Sequence, residues 1–267
     1  MPRHRGKFDI NRQEPYELSR SRIENFIKCP ACFYMQQVEK VEFPSIPGFN
    51  INEATDVLLK KDFDYYRDKQ TPHPFLQNKN LSHLIPFKHE HFNFWTQSLH
   101  FGAEYRFHYD DEETNLRVGG GIDDAWFNTK TQKIHIVDYK STSQKNDNGP
   151  ITLNDEWKGS IKRQMDLYIW IMRKKGFDTD DTGYFLYCDG NRFTENTFLK
   201  KDNAFMEFKI TLIPYKSDLS WIDPTLAKIY RNLRLDKRPA HNPNCEYGQF
   251  LVQSKENGKT QRFKTLF

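Results

Sequence analysis

Two acids and an amine in a short span of this sequence have the types and spacing to bind a cation and stabilise an anion. The segment Ile134-His135-Ile136-Val137-Asp138-Tyr139-Lys140 reads as a strand. Strand side chains alternate in direction, so Asp138 and Lys140 share one side and Tyr139 takes the other. The acid can hold a hard cation such as Mg2+, and the amine can stabilise an anionic oxygen beside it. Upstream, Gly119-Gly120-Gly121-Ile122-Asp123-Asp124 carries a second acid, and a hairpin between the two segments would bring Asp123 to Asp138, with Asp124 pointing away. The glycines leave room for a bulge or for close approach of a polymer backbone. Two carboxylates in one small site repel each other unless a cation lies between them. An ion held there suits phosphodiester cleavage, by activating water and neutralising phosphate charge. Taken alone, an Asp-x-Lys triplet is more often an exposed ion pair of little consequence.

The elements that must position these groups follow from periodicity. A short helix begins after Ser19, carries Ile23, Phe26 and Ile27 on one face, and ends at Cys29-Pro30. Phe33, Tyr34 and Val38 continue an apolar stripe until Pro44, Pro47 and Gly48 break it. Residues 52–66 predict an amphipathic helix with Ala54, Val57, Leu58, Phe63 and Tyr66 as its apolar positions. A further helix is expected over 91–99. Strands are expected over 104–109, 116–127 and 133–140, as a three-strand meander with polar turns. A helix over 160–175 presents Ile161, Met165, Tyr168, Ile169 and Met172, and Gly176 ends it. Strands over 183–188 and 204–213 and a helix over 221–235 complete a mixed sheet flanked by helices, an α/β core with an N-terminal helical elaboration. Residues 1–17 are expected to be loosely ordered, and no internal repeat occurs.

A Gly-x-Ile-Asp segment, a Val-Asp-Tyr-Lys-Ser strand and a Gln164-x-x-x-Tyr168 helix follow one another. Their succession resembles the RecB-type branch of the PD-(D/E)XK nucleases, including the CRISPR-adaptation exonucleases. The likeness runs from Ser19 to Tyr168, and the opening Leu18-Ser19-Arg20-Ser21 with Cys29-Pro30 and Phe33-Tyr34 looks like that branch's first helix. A weaker echo falls at 242–247. The resemblance implies a restriction-endonuclease-like fold in a single domain: a mostly helical wrap over 1–100, a catalytic core over 101–215, and a C-terminal helix and tail over 216–267. It implies Mg2+- or Mn2+-dependent hydrolysis of DNA by an exonuclease or an end- or single-strand-acting enzyme of repair, recombination or CRISPR adaptation. Asp123 and Asp138 would then be metal ligands, the Tyr139 carbonyl a further one, and Lys140 the catalytic lysine. Gln164 and Tyr168, four apart on one helix face, would orient that lysine and contact substrate. The family's additional acid from an upstream helix falls best on Asp56, with Glu104 the alternative; His89 and His91 read as solvated. A catalytically weak DNA-binding or assembly module of the same fold is the competing reading.

Many relatives in this branch clasp an iron–sulfur cluster between one early cysteine and three late ones. Here Cys29-Pro30-Ala31-Cys32 stands early and only Cys245 late, with Gly248 where another cysteine would be expected and Cys188 at most an unusual fourth ligand. A cluster at Cys29, Cys32 and Cys245 is therefore not favoured, and the thiols read as buried packing groups. His241 could in principle complete a zinc site, which would make the chain a zinc-stabilised interaction protein.

Composition bounds the rest. The chain has 267 residues, a net charge of +4 and 22 Phe, 13 Tyr and 5 Trp, with a mean hydropathy of -0.85. That many aromatic residues excludes a disordered chain. Mild basicity permits a polyanionic partner without requiring one. No stretch is long and apolar enough for a membrane span, and the basic start at residues 1–7 has no apolar run behind it. A cytoplasmic, reducing compartment is expected. Basic residues gather at 3–7, at Arg20 and Arg22, at 158–163 around Gln164, and at 173–175. Tyr65, Tyr66, Phe87, Phe92, Phe94 and Trp95 could stack on bases, although such residues are more often core.

Overall fold

A computed structural model describes residues 8–43, 50–97, 104–145 and 149–264, with side chains placed as far as 257. The basic residues at 3–7, the break at Pro44, Pro47 and Gly48, and the last residues of the helix expected over 91–99 lie outside that description. In chain order the first elements are β1 (Tyr16–Ser19), α1 (Arg20–Lys28), α2 (Pro30–Gln37), α3 (Asn50–Lys69) and α4 (Pro74–Asn78). They are followed by β2 (Leu84–Pro86), α5 (Phe92–Trp95), β3 (Phe107–Asp111), β4 (Leu116–Gly120), β5 (Asp124–Asn128) and β6 (Ile134–Thr142). The remainder are α6 (Gly159–Lys174), β7 (Thr182–Gly190), β8 (Leu199–Lys200), β9 (Asn203–Ala204), β10 (Phe208–Lys216), α7 (Ile222–Leu233) and α8 (Glu246–Lys264). The architecture is mixed α/β, with sheets flanked by helices. Among the described residues no helix is long and apolar enough to cross a membrane.

The chain divides into two compact units, each discontinuous in sequence. One comprises Met1–Ser45, Asp110–Val118 and Ser220–Phe267. In it α1 stops at Cys29, because Pro30 cannot donate into a continuing helix, and Pro30 serves instead as the first residue of α2. Ser19 takes the extended backbone of an N-cap (φ -72°, ψ 158°) without a side-chain capping bond. The stretch expected to be loose is partly ordered: Phe8 N–H donates to Gln37 O, and Tyr16 N–H to Asn115 O.

The second unit comprises Ile46–Tyr109 and Gly119–Leu219. Its five-stranded sheet has the order β10-β7-β6-β5-β2. The β6–β7 pair is parallel and the other three pairs are antiparallel. Phe63, Leu76, Leu84, Trp126, Val137, Tyr139 and Leu186 form its core. Helix α6 ends as its sequence requires, with Gly176 at φ +89° and Phe177 N–H donating to Met172 O.

Several sequence expectations need correction. The single strand expected over 116–127 is two strands in two sheets, because the chain leaves the first sheet at the glycines. Ile122 N–H bonds to Trp95 O, and a Cβ at Gly121 would stand 3.2 Å from the Thr96 and Gln97 carbonyl oxygens. The expected meander is thereby divided. Of the apolar stripe expected in α3, Phe63 is buried and Tyr66 half-buried, but Thr55 and Arg67 complete the inward face and Ala54, Val57 and Leu58 are exposed. The ion pair described below draws Arg67 inward and turns the helix away from its hydrophobic pattern. The helix expected over 91–99 is helical only over Phe92–Trp95. The strands expected over 104–109 and 204–213 run instead over Phe107–Asp111 and Phe208–Lys216, the second preceded by the small β8–β9 hairpin. Helix α8 and strand β2 were not anticipated.

Candidate active site

Strand β6 delivers the central pair. The antiparallel register of β5 and β6 ends with Asp124 opposite Val137. One further step brings Asp123, in the bend just before β5, opposite Asp138. The Tyr139 N–H donates to Asp123 Oδ2 at 2.9 Å, fixing that carboxylate against the backbone of β6. Alternation along β6 puts Asp138 and Lys140 on one side, where the Lys140 amine forms an ion pair with Asp138 Oδ2. Tyr139 points the other way, into the core. From α6, Gln164 Nε2 donates to Asp138 Oδ1 at 2.9 Å. Asp138 is 1% exposed, and its Oδ2 accepts no hydrogen bond, meeting only the Lys140 ammonium.

Helix α3 supplies Asp56 to the same place. Lys60, one turn on, lies 2.8 Å from Asp56 Oδ2 and 3.7 Å from Asp123 Oδ1. Burial and the neighbouring Asp138 carboxylate push Asp123 from 3.8 up to about 6. Burial and then the Asp123 charge raise Asp56 as well. Burial opposes the charge on Lys60, but Asp123 and Asp56 outweigh it and raise its affinity for a proton. The hard oxygen donors and the crowded carboxylates fit a divalent cation of the Mg2+ or Mn2+ kind.

No family model matches the sequence, and no curated protein matches it.

Tyr168, one turn after Gln164, is buried; its ring meets Phe107 edge-on at 5.8 Å. A Cβ at Gly120 would come within 2.6 Å of its hydroxyl, so that glycine is what admits the ring. The alternative acid Glu104 stands exposed in a turn. Sequence reading missed Lys60, although its spacing from Asp56 is the i,i+4 signal of a helical ion pair. It also missed Tyr187, which pairs with Lys140 in the parallel β6–β7 ladder. Burial and the Asp138 charge push Tyr187 up to about 12. Beyond β6, Thr142, Ser143, Tyr187, Lys158 and Trp157 help line a cavity of about 260 Å3.

Asp124 points away from the carboxylates, as expected, and supports the site from behind. It accepts from Arg67 Nη2 at 2.5 Å, Tyr139 Oη at 2.6 Å, Trp126 Nε1 at 3.1 Å and its neighbour's amide Ala125 N at 2.7 Å. The expected base-stacking aromatic residues divide: Phe92 and Trp95 are buried, Tyr66 and Phe87 half-buried, and Tyr65 and Phe94 exposed; Trp95 stacks on His89 at 4.5 Å. The basic residues around α6 are also largely engaged. The Lys158 amine is buried against Asp155 and the Thr152 carbonyl, and Arg173 binds Asp181 and the Thr179 carbonyl.

Three of the four cysteines gather with a histidine. Cys29 and Cys32, flanking the start of α2, converge with His241 and Cys245 from the segment before α8. Their ligand atoms all lie within 4.8 Å of one another. Asn242 Nδ2 donates to Lys28 O at 2.6 Å and ties the late segment to the end of α1. Burial opposes a Cys29 thiolate, but hydrogen bonds from the Asn242 and Cys32 backbone and from His241 lower it to about 6. Burial and the neighbouring thiols push Cys32 far up.

Proposed function

We propose that the chain is a divalent-metal-dependent deoxyribonuclease with a restriction-endonuclease-like core, of the RecB-type PD-(D/E)XK branch, acting on DNA ends or single strands. The supporting observation is the convergence of Asp123, Asp138 and Lys140 on one side of the β5–β6 hairpin, with Gln164 bonded to Asp138. Asp123, Asp138, Asp56 and the Tyr139 carbonyl would hold the ion, which supplies charge neutralisation at phosphate and an acidified water. Lys140 donates to an anionic oxygen of the substrate or to the nucleophile. Gln164 fixes the Asp138 rotamer through Oδ1 and leaves Oδ2 facing the site. Lys60 bridges Asp56 and Asp123 and offsets their repulsion. Trp157, 70% exposed beside the cavity that continues from β6, offers a face for stacking an unpaired base.

The purified protein is expected to degrade linear and single-stranded DNA in Mg2+ or Mn2+ and to stop on chelation. Asp123→Asn should remove that activity with an unchanged circular dichroism spectrum. Equal cleavage in a chelator, or by the Asp123→Asn protein, would overturn the reading. A second reading draws on the two ammonium groups, Lys60 and Lys140, that already balance the carboxylates: a DNA-binding or assembly module that needs no ion. It predicts DNA binding insensitive to metal, without cleavage.

The Asp123 pKa sets a pH dependence. The folded protein binds this proton more tightly than the unfolded chain, since the value rises from 3.8 to about 6. The contribution of Asp123 to the stability of the metal-free protein therefore declines as pH climbs through that window and stays reduced above it. Because a cation and this proton compete for the same carboxylate, the metal concentration needed for activity should fall as pH climbs through that window. Thermal melts of the metal-free wild type and Asp123→Asn, with initial rates at several metal concentrations, measure both; a wild-type melting temperature that does not fall relative to Asp123→Asn across that pH range would contradict the assignment.

A further inference from the structure

The geometry points to a structural zinc ion held by Cys29, Cys32, His241 and Cys245, in place of the iron–sulfur cluster that the family resemblance brings to mind. Three sulfurs surround a single ring nitrogen: His241 Nδ1 lies 3.5 Å from Cys29 Sγ, 3.5 Å from Cys32 Sγ and 3.7 Å from Cys245 Sγ. Cys32 and Cys245 Sγ are 3.3 Å apart. One imidazole nitrogen carries one proton or one lone pair, so it can satisfy only one of those thiols. A shared cation satisfies all of them. Zinc with bonds of about 2.3 Å to sulfur and about 2.0 Å to nitrogen gives tetrahedral edges of about 3.8 Å between sulfurs and about 3.6 Å from sulfur to nitrogen. The three sulfur-to-nitrogen separations match those of ligands around one ion, and the Cys32 and Cys245 sulfurs, at 3.3 Å, would move apart slightly to admit it.

A four-iron cluster fits poorly. It asks for four thiolates, each on its own iron and so more widely spread than the ligands of a single metal. Cys188, the remaining cysteine, sits on β7 and is not among the converging groups. Gly248 makes room for the histidine. A Cβ on Gly248 would stand 2.7 Å from His241 Cβ and 2.8 Å from its Cγ, so a side chain at 248 and this imidazole position exclude each other. The Gly248 N–H donates to Cys245 Sγ at 3.4 Å, as a backbone amide does toward a metal-bound thiolate. Phe43 packs on the cysteines and stacks on Tyr247 at 4.5 Å. Four protein ligands leave no open position, so the ion's work is to join the α1–α2 junction to the segment entering α8.

The test uses the full chain purified without added metal. Elemental analysis should find about one zinc per chain, with neither iron nor acid-labile sulfide in proportion. Exchange with Co2+ should give the intense visible absorption of tetrahedral cobalt with a thiolate charge-transfer band. Cys32→Ser and His241→Ala should each lose the metal, and Cys188→Ser should keep it. Should those variants fail to fold, stripping the wild-type protein with a thiol-specific mercurial and a chelator gives an independent readout. Removal should lower Tm by roughly 10 °C or more, with recovery on adding zinc. Iron and sulfide in cluster stoichiometry would overturn the assignment, as would a metal-free protein whose Tm does not respond to zinc. The nuclease reading fails separately, because Asp123→Asn should leave zinc content untouched while Cys188→Ser leaves both readouts intact.

Discussion

Lys140→Ala is expected to lower kcat for metal-dependent DNA hydrolysis by about 100-fold or more, the usual loss when one donor to developing negative charge is removed. The same change should act oppositely on cation affinity. In the present structure the Lys140 ammonium is the partner of Asp138 Oδ2, a buried atom with no hydrogen bond of its own. Without that amine the carboxylate is left facing only Gln164 at its other oxygen. A buried charge without its counterion is destabilising, so the metal-free variant should melt at a lower temperature than the wild type. Divalent cation should restore more stability to the variant than it gives the wild type, because Lys140 no longer competes for Asp138. A merely structural lysine would not separate the two readouts. Wild-type turnover by Lys140→Ala, or an equal response of both proteins to Mg2+, would remove the proposed role.

The candidate site was legible from the sequence to the extent that it depends on local rules. Alternation along 134–140 put Asp138 and Lys140 on one side and the hairpin brought Asp123 to them, whereas Gln164 was singled out only by the family resemblance and its bond to Asp138 is seen only in the fold. What escaped depends on contacts between residues far apart in the chain. Arg67 of α3 reaches Asp124 fifty-seven positions later, so an apolar pattern that placed Phe63 correctly put Val57 and Leu58 inside when they are exposed. The strand expected over 116–127 looked continuous because its glycines gave no sign of where the chain would turn toward Trp95. The cysteine–histidine group was discounted by counting thiols within familiar spacings. His241 was named as a residue that could complete it, but it sits 212 residues from Cys29, and only the fold shows the four groups converging.

The Arg67–Asp124 pair should carry the largest stability effect among substitutions outside the carboxylate site. The Asp124 side chain is 1% exposed and that of Arg67 is 9%. Every oxygen of the carboxylate is engaged, by the guanidinium, the Tyr139 hydroxyl, the Trp126 indole and the Ala125 amide. Arg67 also donates to the Phe87 carbonyl and to Asp64, and its guanidinium lies 4.0 Å over the Phe92 ring. Removing one member leaves the other charge buried and uncompensated, which costs about 3–5 kcal/mol. Asp124→Ala should therefore unfold at markedly lower urea concentration than the wild type. Arg67→Met, which keeps much of the side-chain volume, should do the same through the stranded carboxylate. The double variant Arg67→Met with Asp124→Leu removes both charges and should recover a large part of the loss, since a buried pair gives little net stability over apolar groups of similar size. If the pair were only an exposed contact, each single variant would lie within about 1 kcal/mol of wild type. Because Tyr139 loses its hydroxyl partner in Asp124→Ala while its N–H still fixes Asp123, any activity change beyond the stability loss would show that the pair sets the position of β6 beneath the acids.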